Sequence, residues 1–407
     1  MAEGTDHLLS DSVDLAKLGV SIRCLLTQTQ ARDLAGRLYG LTVTAVKEFN
    51  GYDDRNFHLT VSADCKNKFI DEVWPHGYVL KIVNTLDSKK PGYLDAQSHL
   101  MLHLDAGIPG LCPLPVKTVE GKLSSLETIY QEDEEGNRIS DSPTQHIVRL
   151  LMFKPGTIFY QIPQPDFDLF YEAGKFLGKM NHVFKDFSSE HLAELDDRLH
   201  IWSMYRVSNL REFTDSVRDE QRRRLAEEVI EAFCQEVASH FDKLQKGIIH
   251  GDYNEQNILV APRDTMDVND NPTTDTKFKL VGVIDFGDIA NACYLFEIGI
   301  TIMYLSTCSK ALDAIEVGGH VLAGYLSQVT LTDFELDLLR TVVAARYAQS
   351  VVLGEYYYRL DNNEYCLTTG AVGWPQLAKL WETPKETVMK VWNDIVEERK
   401  REEAASI

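Results

Sequence analysis

Two short segments constrain this chain more than any other feature. The first is His250-Gly251-Asp252-Tyr253-Asn254-Glu255-Gln256-Asn257, and the second, further on, is Val283-Ile284-Asp285-Phe286-Gly287-Asp288. Gly247-Ile248-Ile249 gives the first an apolar entry, and Ile258-Leu259-Val260 reads as a strand leaving it. Lys279–Ile284 reads as a second strand that ends at Asp285. An Asp five residues ahead of an Asn then sits on a loop, with another Asp closing a neighbouring strand. That arrangement suits phosphoryl transfer. One carboxylate can accept the proton of a substrate hydroxyl, while the Asn oxygen and the other carboxylate hold Mg2+ on phosphate groups. The competing explanation is a turn with two satisfied carboxylates. The order and spacing of two motifs, each with its own strands, disfavour it.

The rest of the chain divides by pattern. Thr42–Val46, Phe57–Val61 and Tyr78–Val83 are β-branched or alternating and predict strands. One helix is expected near Leu94–Leu104. Ser125–Tyr130 and His146–Leu151 flank the acidic stretch Gln131–Pro143, which predicts a hairpin with a solvated loop. Phe167–Phe184 has helical periodicity with Asp166 as its N-cap, and Arg222–Leu244 continues at the same spacing. A second polar stretch, Asp264–Thr276, separates two strand-like runs. Strands come first and helices second, so an α+β fold of two lobes is expected, residues 1–155 and 156–407, parted where Pro155, Gly156, Pro163 and Pro165 cluster.

The two motifs resemble those of the aminoglycoside phosphotransferase family, which has a protein-kinase-like fold. The resemblance implies an N-lobe of antiparallel sheet plus helix that binds nucleotide, and a mostly helical, catalytic and substrate-binding C-lobe. Asp252 then matches the catalytic base, Asn257 and Asp285 the metal ligands, and His250 the histidine that holds the catalytic loop. Lys81, on the apolar strand Tyr78–Val83, matches the lysine that grips nucleotide phosphates, and a lysine in such a strand is otherwise unfavourable. Asn56 matches a common position of the phosphate-covering loop, here Asn50–His58 with a single glycine. Arg149–Phe153, including Met152, resembles the hinge that meets the base. Where the family has a glutamate that pairs with the lysine, this chain has Gln97. Asp288 either contacts substrate or metal or caps a helix.

Within the family, Tyr52–His58, Val317–Gly324 and Asp288–Glu297 resemble hydroxylysine kinases. This implies transfer of the γ-phosphate of GTP to the 5-hydroxyl of 5-hydroxy-L-lysine, in lysine and hydroxylysine catabolism. ATP stays open as donor, and choline, ethanolamine or homoserine stay open as acceptor. A non-catalytic nucleotide-binding regulator is the reading from another class.

Charge bounds the partners. Asp plus Glu number 62 against 41 Lys plus Arg, a net charge of −21. Such a field repels nucleic acid and anionic membranes and favours a cationic small molecule. No long uncharged apolar run and no signal-peptide pattern is present, and seven scattered cysteines form no CxxC pair, so a reducing cytoplasmic setting is expected. Glu297 reads as a buried anchor of the loop, or else as a receiver of substrate ammonium. Arg346, inside the apolar run Thr341–Leu353, is a candidate for the substrate carboxylate, with a structural ion pair as the alternative.

Overall fold

The computed structural model describes residues 22–51, 54–133, 135–196, 200–264, 276–361 and 367–405. Tyr52 and Asp53 of the expected phosphate-covering loop, and residues 265–275 of the second polar stretch, lie outside them. The chain forms two compact units. One runs through Pro155 and takes in Phe187–Leu195; the other holds Gly156–Asp186 and continues from Asp196.

The first unit is built on an antiparallel sheet. Its strands are β1 (Leu41–Phe49), β2 (Arg55–Cys65), β3 (Tyr78–Ile82), β4 (Pro115–Val116), β5 (Ser125–Ile129) and β6 (Thr144–Met152), in the order β1-β2-β3-β6-β4 with β5 also on β6. The β5–β6 hairpin is the expected one, closing with Ile129 opposite Thr144. Helix α1 (Gln28–Tyr39) has a capping box in which Thr27 and Gln30 bond each other's backbone, and it stops at Gly40, whose φ of 63° is left-handed. Ala31, Leu34, Ala35 and Leu38 of α1 close over Phe57, Leu59, Leu80, Val148 and Leu150, and each buried Leu or Phe there contributes roughly 1.5–3 kcal/mol. Because Leu80 and Ile82 face this core, the intervening Lys81 faces the other side of the sheet. Helix α2 (Pro91–Gly107) starts on a proline, which loses no helical hydrogen bond there, and is longer than its apolar pattern predicts.

The second unit carries β7 (Thr157–Ile158), β9 (Ile258–Pro262) and β10 (Phe278–Val283) in one small sheet, and β8 (Lys246–Ile249) paired with β11 (Ala290–Cys293) in another. Its helices are α3 (Phe167–Phe184), α4 (Glu220–Ala232), α5 (Tyr294–Thr307), α6 (Ala314–Leu326), α7 (Asp333–Asp361), α8 (Thr368–Glu382) and α9 (Lys385–Ala405). Asp166 caps α3 as expected, its carboxylate accepting from Leu169 N. The helix expected through Leu244 instead ends at Ala232 and passes into a π turn and a 3₁₀ turn, although the apolar spacing runs on. Helices α3 and α6 cross so closely that a Cβ on Gly174 would meet Val321 O at 1.9 Å, and one on Gly324 would meet Tyr171 O at 1.9 Å. Among the described residues no helix is long and apolar enough to cross a membrane.

Candidate active site

The loop after β8 is fixed from three directions. The His250 and Gly251 N–H groups each donate to Glu297 on α5, at 2.9 Å to its Oε1 and Oε2. Burial pushes Glu297 up to about 7 while those two N–H bonds pull it down. Glu297 is thus the loop anchor, one of the two roles expected for it. His250 is fully buried; Nε2 lies 3.1 Å from Ile284 O and Nδ1 accepts from Asp252 N at 3.3 Å. A carbonyl can only accept, so Nε2 carries the proton and the ring is neutral, in keeping with the lowering of its pKa by burial. One imidazole therefore ties the start of the Asp252 loop to the strand end that carries Asp285. Gly251 has φ 79°, and a Cβ there would meet Asp288 O at 2.2 Å, so the position requires glycine.

This loop presents Asp252. Its Oδ1 accepts from Asn254 Nδ2 at 2.8 Å, and its Oδ2 accepts from Asn257 Nδ2 at 3.0 Å. Asn257 Nδ2 also reaches Asp252 O at 2.9 Å, and the Asn257 backbone joins Ile284 N at 2.9 Å. Burial, Asp288 and Asp285 push Asp252 well above the usual carboxylate range, and Arg346 pulls against them. Asp285 sits at φ 59°, ψ 76°, a left-handed conformation that a non-glycine residue keeps only where its surroundings hold it.

In the first unit, Lys81 lies in register between Asn56 on β2 and Arg149 on β6, so the three form a row across the sheet. Lys81 Nζ is 3.1 Å from Asp54 Oδ2, and both side chains are largely buried, at 8% and 17% exposure. Asp54 Oδ1 accepts from Asn84 N at 2.8 Å and Asn84 Nδ2 at 3.0 Å, which holds the carboxylate in place. A carboxylate partner for the lysine therefore comes from the turn before β2.

Residues 46–326 match the phosphotransferase enzyme family. The chain belongs to that family. It is 32% identical over 371 residues to the hydroxylysine kinase of Bos taurus, covering 90% of this chain and 92% of that one, and 32% identical over 371 residues to the hydroxylysine kinase of Xenopus laevis, covering 90% and 93%. Two solved structures share its protein-kinase-like α+β fold at 14% identity. They are an amicoumacin kinase in complex with AMP-PNP and Ca2+ (TM-score 0.59, 88% of this chain and 95% of that one) and a microcompartment-associated aminopropanol kinase (TM-score 0.58, 90% and 100%). The enzyme is a phosphotransferase that acts on an alcohol group.

The remaining expected residues fall as follows. Gln97 is buried on α2. Met152 ends β6, its N–H bonded to Leu114 O at 2.8 Å, while the next residue, Phe153, bonds Gly77 O at 3.0 Å and accepts from Trp74 Nε1 at 2.8 Å. Asp288 ends the short turn Phe286–Asp288 and caps no helix; His200 Nε2 lies 3.6 Å from its Oδ1. Arg346 on α7 is 3.9 Å from Asp252 Oδ1 through Nη2. Sequence reasoning missed Asp54, and it missed Glu255, which is buried with Oε2 making no hydrogen bond and is pushed up to about 7 by burial.

The donor set fits the divalent metal that the family implies. Asn257 gives both amide hydrogen bonds through Nδ2, so its Oδ1 is left as an acceptor, and Asp285 adds a carboxylate. Among the described residues no group of three or more His, Cys, Asp and Glu side chains is placed to hold a metal. Two oxygen ligands from protein, with water and phosphate completing the shell, is the habit of Mg2+.

Proposed function

We propose that the enzyme transfers the γ-phosphoryl group of GTP to the 5-hydroxyl of 5-hydroxy-L-lysine, with Mg2+, as a step of cytoplasmic hydroxylysine breakdown. The observation that carries the reading is the pair of amides on Asp252: Asn254 and Asn257 each hold one carboxylate oxygen by a single hydrogen bond. Each oxygen keeps capacity for a substrate hydroxyl. Identity of 32% to hydroxylysine kinases over 90% of the chain supports the acceptor, and the nucleotide in the amicoumacin kinase is in keeping with a triphosphate donor. Six described cysteines are all unpaired, which accords with a reducing compartment.

In the mechanism, Asp252 accepts the proton of the 5-hydroxyl as the oxygen bonds to the γ-phosphorus and the bond to the β-phosphate oxygen breaks, leaving the nucleoside diphosphate. The raised proton affinity of Asp252 suits it to that role. Asn257 and Asp285 would hold Mg2+, which when bound neutralises charge on the phosphates. Lys81, aligned by Asp54, grips the nucleotide phosphates. Asn56 neighbours it in register, and the backbone near Met152 is the candidate base-binding stretch. His250 keeps the loop in place, and Asp288 faces the acceptor.

The test is a panel: purified enzyme with 5-hydroxylysine, lysine, choline or homoserine, each with GTP and with ATP. Phosphorylation of 5-hydroxylysine but not of lysine, with GTP preferred, is expected. Phosphorylation of choline or homoserine in its place would move the enzyme to another acceptor within the family.

A further inference from the structure

Arg346 is a buried cation with one edge committed and one edge open. Its side chain is 3% exposed. Nη1 donates to Trp202 O and to Gln349 Oε1, both at 2.7 Å. Gln349 is itself fixed, donating to Ile201 O at 3.0 Å and Ser203 O at 3.2 Å. The rings of Trp202 and Tyr304 lie 5.7 Å and 5.2 Å from the guanidinium carbon, so the group is walled by aromatic faces. The opposite edge, Nε and Nη2, makes no hydrogen bond among the described residues, and Nε is fully buried. Nη2 stands 3.9 Å from Asp252 Oδ1, beyond hydrogen-bond reach.

A buried guanidinium edge without acceptors is costly, and an edge of this kind receives two carboxylate oxygens side by side. We infer that the Nε–Nη2 edge of Arg346 is the subsite for the α-carboxylate of an amino-acid acceptor, with Trp202 and Gln349 setting its orientation. This deepens the acceptor proposed above and rests on it. Asp252 would face the reacting hydroxyl, and in 5-hydroxylysine three carbons separate the hydroxyl-bearing carbon from the carboxyl carbon. The two groups can therefore reach neighbouring anchors at once. Without this cation, the Asp252 carboxylate 3.9 Å away would repel a substrate carboxylate.

The experiment compares 5-hydroxylysine with its decarboxylated counterpart 1,5-diamino-2-pentanol, in the wild-type enzyme and in Arg346→Gln and Arg346→Lys. Wild-type enzyme is expected to lose on the order of 10- to 100-fold in kcat/KM on the decarboxylated compound, mostly through KM. Arg346→Gln is expected to raise KM for 5-hydroxylysine by a similar factor and to cost the diamino alcohol clearly less, so that the wild-type preference for the carboxylated acceptor collapses, while Arg346→Lys falls between. Thermal unfolding of each variant checks the fold. Equal use of both acceptors by the wild type, or equal loss on both in Arg346→Gln, would overturn the subsite and assign Arg346 to Asp252 or the phosphoryl group instead. If the wild type phosphorylates neither compound while using another alcohol, the acceptor assignment itself fails, and that outcome is distinct from the others.

Discussion

Lys81 Nζ and Asp54 Oδ2 are 3.1 Å apart, a buried ion pair between β3 and the turn that leads into β2. The family resemblance implies Gln97 in place of the helix glutamate that pairs with the lysine, and here a carboxylate reaches Lys81 from another element. A glutamine at that position would favour a non-catalytic nucleotide-binding regulator, and the Asp54 carboxylate weakens that alternative.

Removing this carboxylate tests its importance for nucleotide. Asp54→Asn is expected to weaken nucleotide binding about 10-fold or more, because a charge-assisted partner worth roughly 1.5–3 kcal/mol is lost and Lys81 is no longer held. Fluorescence titration with nucleotide reads the effect. An unchanged Kd would mean that Lys81 is positioned by other contacts.

Glu297 is expected to matter for stability before it matters for chemistry. Glu297→Ala leaves the His250 and Gly251 N–H groups buried without an acceptor, at a cost of about 2–5 kcal/mol. Glu297→Gln keeps one acceptor oxygen and should cost less. Thermal unfolding measures both, and a Tm within a degree of wild type for the alanine variant would contradict the anchoring role.

His320 supplies a pH dependence. It stacks on Phe167 with ring centroids 4.2 Å apart, accepts from Arg399 Nε at 3.1 Å, and has Asp168 nearby through the Arg399 ion pair. Burial and Arg399 lower its pKa to about 4. A histidine depressed in the folded state contributes stability above its unfolded value near 6.5 and loses it as pH falls toward 4. With solvent screening this is on the order of 1–2 kcal/mol. His320→Gln should therefore flatten the decline of Tm between pH 6.5 and 4; an unchanged slope would place the acid sensitivity elsewhere.

What could be seen in the sequence follows from the range of the interactions. The Asp252 loop, the Asp285 strand end and the Asp166 cap are local patterns of a few residues, and they were legible. Helix α1 carries an equally local signal, Thr27 and Gln30 ahead of Ala31, Leu34, Ala35 and Leu38, although the expected elements above begin only at Thr42. The π turn at Phe233–Val237 leaves the apolar spacing intact, so periodicity alone could not reveal it. Asp54 escaped because its partnership with Lys81 is tertiary: only strand register brings the two together. Arg346 was visible as a charge in an apolar helix, but its open edge required Trp202 and Gln349 in place.

The proposed mechanism requires Asp252 to receive the acceptor's proton. Steady-state turnover of Asp252→Asn with 5-hydroxylysine, GTP and Mg2+ tests it most directly. The variant should stay folded with a nucleotide Kd near that of the wild type and lose about 10²- to 10⁴-fold in kcat. Wild-type-like kcat in that variant would contradict the account.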